Sequence, residues 1–158
     1  MERPVSGGSA GRWPLRGARP EVPLMLLDTD VLIDVALDRR PHSEPSAELL
    51  DRIERGSRRA HVAWHTLSNF YYLVTSRRGD ADTRDFIAEL VRFVAVATTD
   101  TPALRYALSL PMADFEDAMQ VAAAHACGAR HIVTRNVRDF ARSPVQAMTP
   151  REALDQLF

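Results

Sequence analysis

Acidic side chains occur in two short stretches of the sequence, at spacings that could hold a divalent cation. The first stretch, LLDTDVLID, carries Asp28, Asp30 and Asp34 directly behind an apolar run. The second, MADFEDAMQVAAAHACGA, carries Asp114 and Asp117, which share a helical face because they are three residues apart. Carboxylates are costly to bury and repel one another unless a cation neutralises them. The two stretches therefore predict a site for Mg²⁺ or Mn²⁺.

A third stretch, HIVTRNVRDF, adds two oxygen donors, Asn136 and Asp139, after a strand-like segment. Two further acids are expected to face solvent. Glu116 points about 100° away from Asp117 around the helix, and Asp34 reads as a solvated helix residue. The composition leaves a simpler alternative open, in which the aspartates serve only as helix caps and turn residues.

Strand-like and helix-like segments alternate along the chain from residue 24 onwards. Strands are predicted at 23–27, 60–64, 94–98, 131–134 and 145–148, and helices at 30–37, 43–56, 66–79, 80–93, 101–110, 114–128 and 149–158. This alternation is typical of an α/β domain with a mostly parallel central sheet flanked by helices. Ligands of such sheets bind beyond the carboxyl ends of the strands, where Asp28 and Asn136 would lie.

Length, charge and cysteine content narrow the class of protein. The chain has 158 residues and a formal net charge of −1, so it can bury a core but lacks a strongly basic overall charge. No apolar run approaches the ~20 residues of a transmembrane helix. One cysteine, Cys127, allows no internal disulfide. We expect a cytoplasmic protein that does not contact membranes.

The N-terminal segment differs from the rest of the chain. Residues 1–23, MERPVSGGSAGRWPLRGARPEVP, are rich in proline, glycine and arginine and show no hydrophobic periodicity. They also lack the continuous apolar stretch of a signal peptide. The composition predicts a disordered leader at 1–23, followed by a single domain at 24–158.

Together these stretches resemble the PIN domain family of metal-dependent ribonucleases, and within it the VapC-type toxins. LLDTDVLID resembles the opening motif of the family, and DFEDAMQVAAAHACGARHIVTRNVRDF resembles its closing half. The likeness runs from about Met25 to the C-terminus. It implies a single PIN-like domain that hydrolyses RNA phosphodiester bonds with Mg²⁺ or Mn²⁺. It also implies the toxin of a type II toxin–antitoxin pair, with RNA, a small antitoxin and a second copy of the chain as partners.

The resemblance implies roles for individual residues. Asp28, Asp114 and Asp117 would hold the metal, and Asn136 would act with them in catalysis. Asn69 stands where many relatives carry a glutamate, and Asn136 where many carry a fourth acid. The supporting residues would be Asn69, Asp139 and Asp30, and the arginines that could contact RNA are Arg135, Arg138, Arg77 and Arg78.

Two other functions compete with this interpretation. Asp28 and Asp30 also match the Asp-x-Asp opening of haloacid-dehalogenase-type phosphatases and, more loosely, response-regulator receivers. Both classes usually need a lysine, and every one of the 20 Lys and Arg residues here is arginine. The second alternative is a catalytically weak PIN-fold module that binds protein or RNA, because Asn69 and Asn136 leave less negative charge to hold a metal.

Deletion of residues 1–23 should leave the thermal midpoint nearly unchanged, because this segment cannot bury a periodic apolar face. Melting curves of the full chain and of the shortened chain test this expectation. A drop of many degrees in the shortened chain would mean that the segment is part of the fold.

Overall fold

A computed structural model describes Val22 and residues 24–158, and its elements follow the predicted alternation. The strands are β1 (Leu24–Leu27), β2 (Arg59–Val62), β3 (Ala95–Val96), β4 (His131–Val133) and β5 (Gln146–Met148). The helices are α1 (Thr29–Ala36), α2 (Ser43–Glu54), α3 (Trp64–Arg78), α4 (Asp80–Leu90), α5 (Thr101–Ser109), α6 (Phe115–Cys127) and α7 (Pro150–Leu157). The leader predicted at 1–23 lies outside the described residues, Val22 excepted.

The described strands form one parallel sheet in the order β3-β2-β1-β4-β5. The first strand of the chain is central: Met25 pairs with Ala60 on one side and with His131 on the other. A parallel sheet covered on both faces needs strands that are apolar throughout, and all four residues of β1 are buried. The predicted α/β class with a parallel central sheet is confirmed.

Helices cover both faces of the sheet, and β1 contributes to both cores. Successive side chains of a strand point to opposite faces. Met25 and Leu27 pack into a core formed with α1, α2, α3, α4 and α7, whereas Leu24 and Leu26 pack against α6. The buried residues of α6 are mostly small: Ala118, Val121, Ala122, Ala123 and Ala124. Small side chains let this helix lie close to the sheet, so its N-terminus has a fixed place relative to β1.

The carboxyl ends of β1 and β4 form the edge at which the acidic residues collect. The backbone N–H of Asp28 donates to Val133 O at 2.9 Å, so the strand pairing continues to this aspartate. β1 leads into α1 here, whereas β4 leads into a loop with a short 3-10 helix, Val137–Phe140. In open α/β sheets, ligands bind where the connections of two neighbouring strands diverge in this way. Within the described ranges, none of the helices combines the length and the apolar character that crossing a membrane requires.

Asp34 is buried, so the prediction that it is a solvated helix residue is wrong. Its side chain is 1% exposed, and its Oδ1 accepts a hydrogen bond from Arg135 Nη1 at 3.0 Å. The prediction fails because α1 is buried on almost all of its sides. A buried carboxylate needs a partner of this kind. The ion pair therefore ties α1 to the loop that follows β4.

Replacing Arg135 with alanine should lower the free energy of unfolding by roughly 2–4 kcal/mol, because the change leaves a buried carboxylate unpaired. Urea unfolding measures this loss. Arg138→Ala is the matched control on the same loop, since Arg138 is exposed, and it should change stability by less than about 0.5 kcal/mol. Asp34→Asn combined with Arg135→Ala should recover part of the loss. Equal stability of Arg135→Ala and the parent would show that the ion pair does not hold the loop.

Candidate metal centre

Asp28 ends the central strand and caps the first helix. Its Oδ1 accepts from the backbone N–H of Thr29 at 2.7 Å, and its Oδ2 accepts from Thr134 Oγ1 at 2.8 Å. Aspartate suits this place because it is a poor strand former and a good N-cap. Burial raises the pKa of Asp28 from 3.8 to about 6, although the Thr134 hydrogen bond opposes the shift. The site thus contains a fixed, desolvated carboxyl group.

Three acidic residues gather where α6 begins. Asp114 is the N-cap, and its Oδ1 accepts from the backbone N–H groups of Glu116 at 2.8 Å and Asp117 at 3.3 Å. One carboxylate oxygen from each of Asp114, Glu116 and Asp117 lies within 4.8 Å of the other two. Oxygens this close can bind one divalent ion with modest side-chain adjustment.

Glu116 belongs to this cluster, and its side chain is 39% exposed, so the prediction that it faces solvent holds only in part. Its Oε1 accepts from Gln120 Nε2 at 3.3 Å, and His65 Nε2 lies 3.3 Å from the same oxygen. Gln120 is one helical turn further along α6, whereas His65 comes from α3. The start of α3 therefore occupies the side of α6 that the helix projection assigns to solvent.

Asp117 is the most perturbed acid of the cluster. Burial and, after it, the charges of Asp114, Asp28, Glu116 and Asp139 raise the pKa of Asp117 from 3.8 to about 7. A bound cation would relieve this repulsion and favour the ionised form. The ligand oxygens available are carboxylates, which fit Mg²⁺ or Mn²⁺ and not zinc. The residues present therefore fit the divalent metal that the resemblance implies.

Asp28 and Glu116 contact the same buried side chain, Gln120, which the sequence did not single out. Gln120 Nε2 donates to Asp28 Oδ1 at 3.1 Å, as well as to Glu116 Oε1 and to Thr66 Oγ1 at 2.8 Å. The group of oxygens within 4.8 Å does not include Asp28. The structure thus brings Asp114 and Asp117 into one cluster. Asp28 lies beside this cluster, and Gln120 connects Asp28 to Glu116.

The loop after β4 also reaches the acidic edge. The Asn136 side chain donates to Asp30 Oδ2, and its backbone N–H donates to Thr134 Oγ1 at 3.0 Å. Asp139 is near enough to Asp117 for its charge to raise the pKa of Asp117. These contacts bring the predicted loop residues to the acidic edge.

Among the described residues, none of the remaining candidates forms a hydrogen bond with Asp28, Asp114 or Asp117. Asn69 is half-buried on α3, and within the described part of the chain its side chain makes no hydrogen bond. Arg78 Nη1 donates to Ala36 O at 3.0 Å, and Arg135 binds Asp34. Arg77 and Arg138 are exposed. Contact of these arginines with RNA stays a prediction.

A model of the PIN domain family matches residues 25–138, which include Asp28, the start of α6 and Asn136. The chain belongs to the PIN domain family. The resemblance inferred from the two acidic stretches is therefore confirmed. A comparison with curated proteins finds no significant match.

Solved structures of VapC-type proteins share the fold of this PIN domain. A chain of VapBC2 from Rickettsia felis is 14% identical, with coverage of 80% of this chain and 98% of that chain and a TM-score of 0.62. A chain of DNA-bound VapBC from Salmonella typhimurium is 19% identical, with coverage of 81% and 98% and a TM-score of 0.62. VapC20 from Mycobacterium tuberculosis, a sarcin-ricin loop cleaving toxin, is 15% identical, with coverage of 68% and 86% and a TM-score of 0.55. At these identities the likeness concerns the fold.

The raised pKa of Asp117 predicts how stability changes with pH. The folded state keeps this proton up to about pH 7, whereas the unfolded chain releases it near 3.8. The contribution of Asp117 to the free energy of unfolding is therefore complete below the pKa of the unfolded chain. It is lost as pH rises through the pKa of the folded state. In EDTA, Asp117→Asn should gain thermal stability relative to the parent from about pH 5 to about pH 8.

Added Mg²⁺ should raise the melting temperature of the parent more at about pH 8 than at about pH 5, because the ion binds the ionised form of Asp117. Asp82→Asn is the control, since Asp82 is an exposed acid in the first turn of α4. Parallel pH profiles for the parent and Asp117→Asn would contradict the electrostatic description of the site.

Proposed function

We propose that this PIN domain is a Mg²⁺- or Mn²⁺-dependent endoribonuclease and the toxin of a type II toxin–antitoxin pair. The observation that carries the proposal is the set of crowded carboxyl groups at the carboxyl edge of β1, where the pKa values of Asp28 and Asp117 are raised. Membership of the PIN domain family supports nuclease chemistry. The RNA-cleaving VapC20 and the VapBC complexes with the same fold support an RNA substrate and an antitoxin partner.

The residues that would hold the metal come from two elements. Asp28 follows β1, whereas Asp114 and Asp117 open α6, and Glu116 is a further acid within the cluster. When bound, a divalent ion polarises a phosphate and lowers the pKa of a bound water molecule. The hydrogen bonds to Asp28 and Asp114 fix these carboxylates before the ion arrives, so little side-chain entropy remains to be lost on binding.

The surrounding residues would position the RNA and the attacking water. Asn136, held by Asp30, and Asn69 would orient water molecules at the site. The exposed Arg77 and Arg138 would bind backbone phosphates on either side. Hydrolysis forms a bond from the water oxygen to phosphorus and breaks the bond to the 3′ oxygen, which leaves a 5′-phosphate and a 3′-hydroxyl.

A catalytically weak binding module is the second candidate. The observation that favours it is the presence of amides at Asn69 and Asn136, which lowers the negative charge available for a metal. Glu116 offsets this loss, because it adds a carboxylate oxygen to the group formed by Asp114 and Asp117. The acidic cluster therefore favours the enzyme over the binding module.

A small antitoxin and a second copy of the chain are the proposed protein partners. Large apolar side chains are exposed on α3 and α5, and exposed apolar area favours protein contacts. They are Trp64, Tyr72, Leu73, Leu104 and Leu108. The enzyme would act in the cytoplasm, where its RNA substrate and its antitoxin are made.

Asp28→Asn should abolish Mg²⁺-dependent cleavage of RNA, with a loss of at least about 100-fold, since even outer-shell changes at metal sites cost about 10–100-fold. The metal-free variant should be as stable as the parent or more stable. Asparagine keeps one acceptor oxygen and is an equally good N-cap, and the change removes one of the repelling charges. Cleavage assays with Mg²⁺ and Mn²⁺ and melting curves in EDTA measure both effects.

Asp100→Asn is the matched control, because Asp100 caps α5 but is not part of the acidic cluster. Normal cleavage by folded Asp28→Asn would make Asp28 a structural residue. A parent that binds RNA without cutting it in either metal would instead favour the binding module.

A further inference from the structure

Gln120 is a fully buried amide in a helix whose other buried residues are small and apolar. Its side-chain carbonyl oxygen is buried and has no hydrogen-bond partner in the part of the chain that the structure describes. Burial of an amide with an unpaired carbonyl opposes folding. Packing alone would therefore favour an apolar residue at this position, and the reason for glutamine must lie in its amide nitrogen.

The amide nitrogen meets acceptors from three different parts of the fold. Gln120 Nε2 lies 2.8 Å from Thr66 Oγ1 on α3, 3.1 Å from Asp28 Oδ1 after β1, and 3.3 Å from Glu116 Oε1 on α6. Reversing the amide would bring its carbonyl oxygen against two carboxylates. The orientation with nitrogen toward the acids therefore follows from electrostatics as well as from the hydrogen-bond geometry.

We propose that Gln120 is a positioning residue of the metal centre, which holds Asp28 and Glu116 at a fixed separation through one amide nitrogen. The inference rests on the proposed function, since it concerns the same acids. Asp28 and Glu116 lie on separate elements and repel each other when ionised. A neutral donor between them attracts both carboxylates without adding a charge that would compete with a cation.

Thr66 accepts the shortest of the hydrogen bonds that the Gln120 amide nitrogen donates, at 2.8 Å. Its Oγ1 accepts from Gln120 Nε2, and it also accepts from Thr29 Oγ1 at 3.3 Å. Thr66 and Gln120 are both fully buried, so neither side chain can rotate freely. The amide is therefore already fixed before a metal binds, and its hydrogen bonds restrict the motion of Asp28 and Glu116.

Gln120→Met tests the proposal, because methionine is close to glutamine in shape but donates no hydrogen bond. Isothermal titration with MnCl₂ should show about 10–100-fold weaker binding than in the parent. RNA cleavage should fall mainly through kcat, since the RNA-binding arginines are untouched. Gln120→Asn is the second variant: it keeps the amide but is one methylene shorter, so it should fold and still bind Mn²⁺ less tightly.

Thr83→Val is the control for loss of a buried polar group. Thr83 is fully buried on α4, and its hydroxyl donates to Gly79 O at 2.7 Å. It should lower the melting temperature without changing Mn²⁺ affinity. If both Gln120 variants bind Mn²⁺ as tightly as the parent, Gln120 only fills space and the proposal is overturned. If the parent itself binds no Mn²⁺, the proposed function falls as well, so the two failures are distinguishable.

Discussion

Repulsion between carboxylates at the end of β1 is the constraint that the other elements of this molecule must withstand. Burial raises the pKa values of Asp28 and Asp117, and the charges of the neighbouring acids raise both values further. Such groups move apart unless the backbone that carries them is held firmly. Here the hold comes from hydrophobic packing, because β1 is central in the sheet and the small residues of α6 lie directly on it.

Two helix N-termini reduce the energetic penalty of gathering these acids. Asp28 caps α1 and accepts from one backbone N–H group of that helix, whereas Asp114 caps α6 and accepts from two. The partial positive charge at a helix N-terminus stabilises a nearby carboxylate. Both helices begin at the same edge of the sheet, so local capping and long-range electrostatics favour the same arrangement.

The sequence predicts the elements of this fold well because hydrophobic runs alternate clearly with helical patterns. It predicts the acidic edge for the same reason, since Asp28 and Asp114 stand at element boundaries. Local patterns did not predict the burial of Asp34, the place of Glu116 in the acidic cluster or the role of Gln120. A helix projection assumes one buried face, but α1 is buried almost all round, and α3 covers the outer side of α6 at Glu116. The role of Gln120 depends on contacts with residues as far as 92 positions away, which no local pattern contains.

The position of β1 in the sheet has a consequence for the synthesis of the protein. Asp28 leaves the ribosome 106 residues before its partner Thr134, and β1 cannot complete its pairing before β4 exists. A topology with such distant contacts folds slowly, and it leaves one edge of β1 unpaired until β4 has been made. Chains that stop before β4 therefore lack the second partner strand of β1 and the hydrogen bond from Thr134 that fixes Asp28.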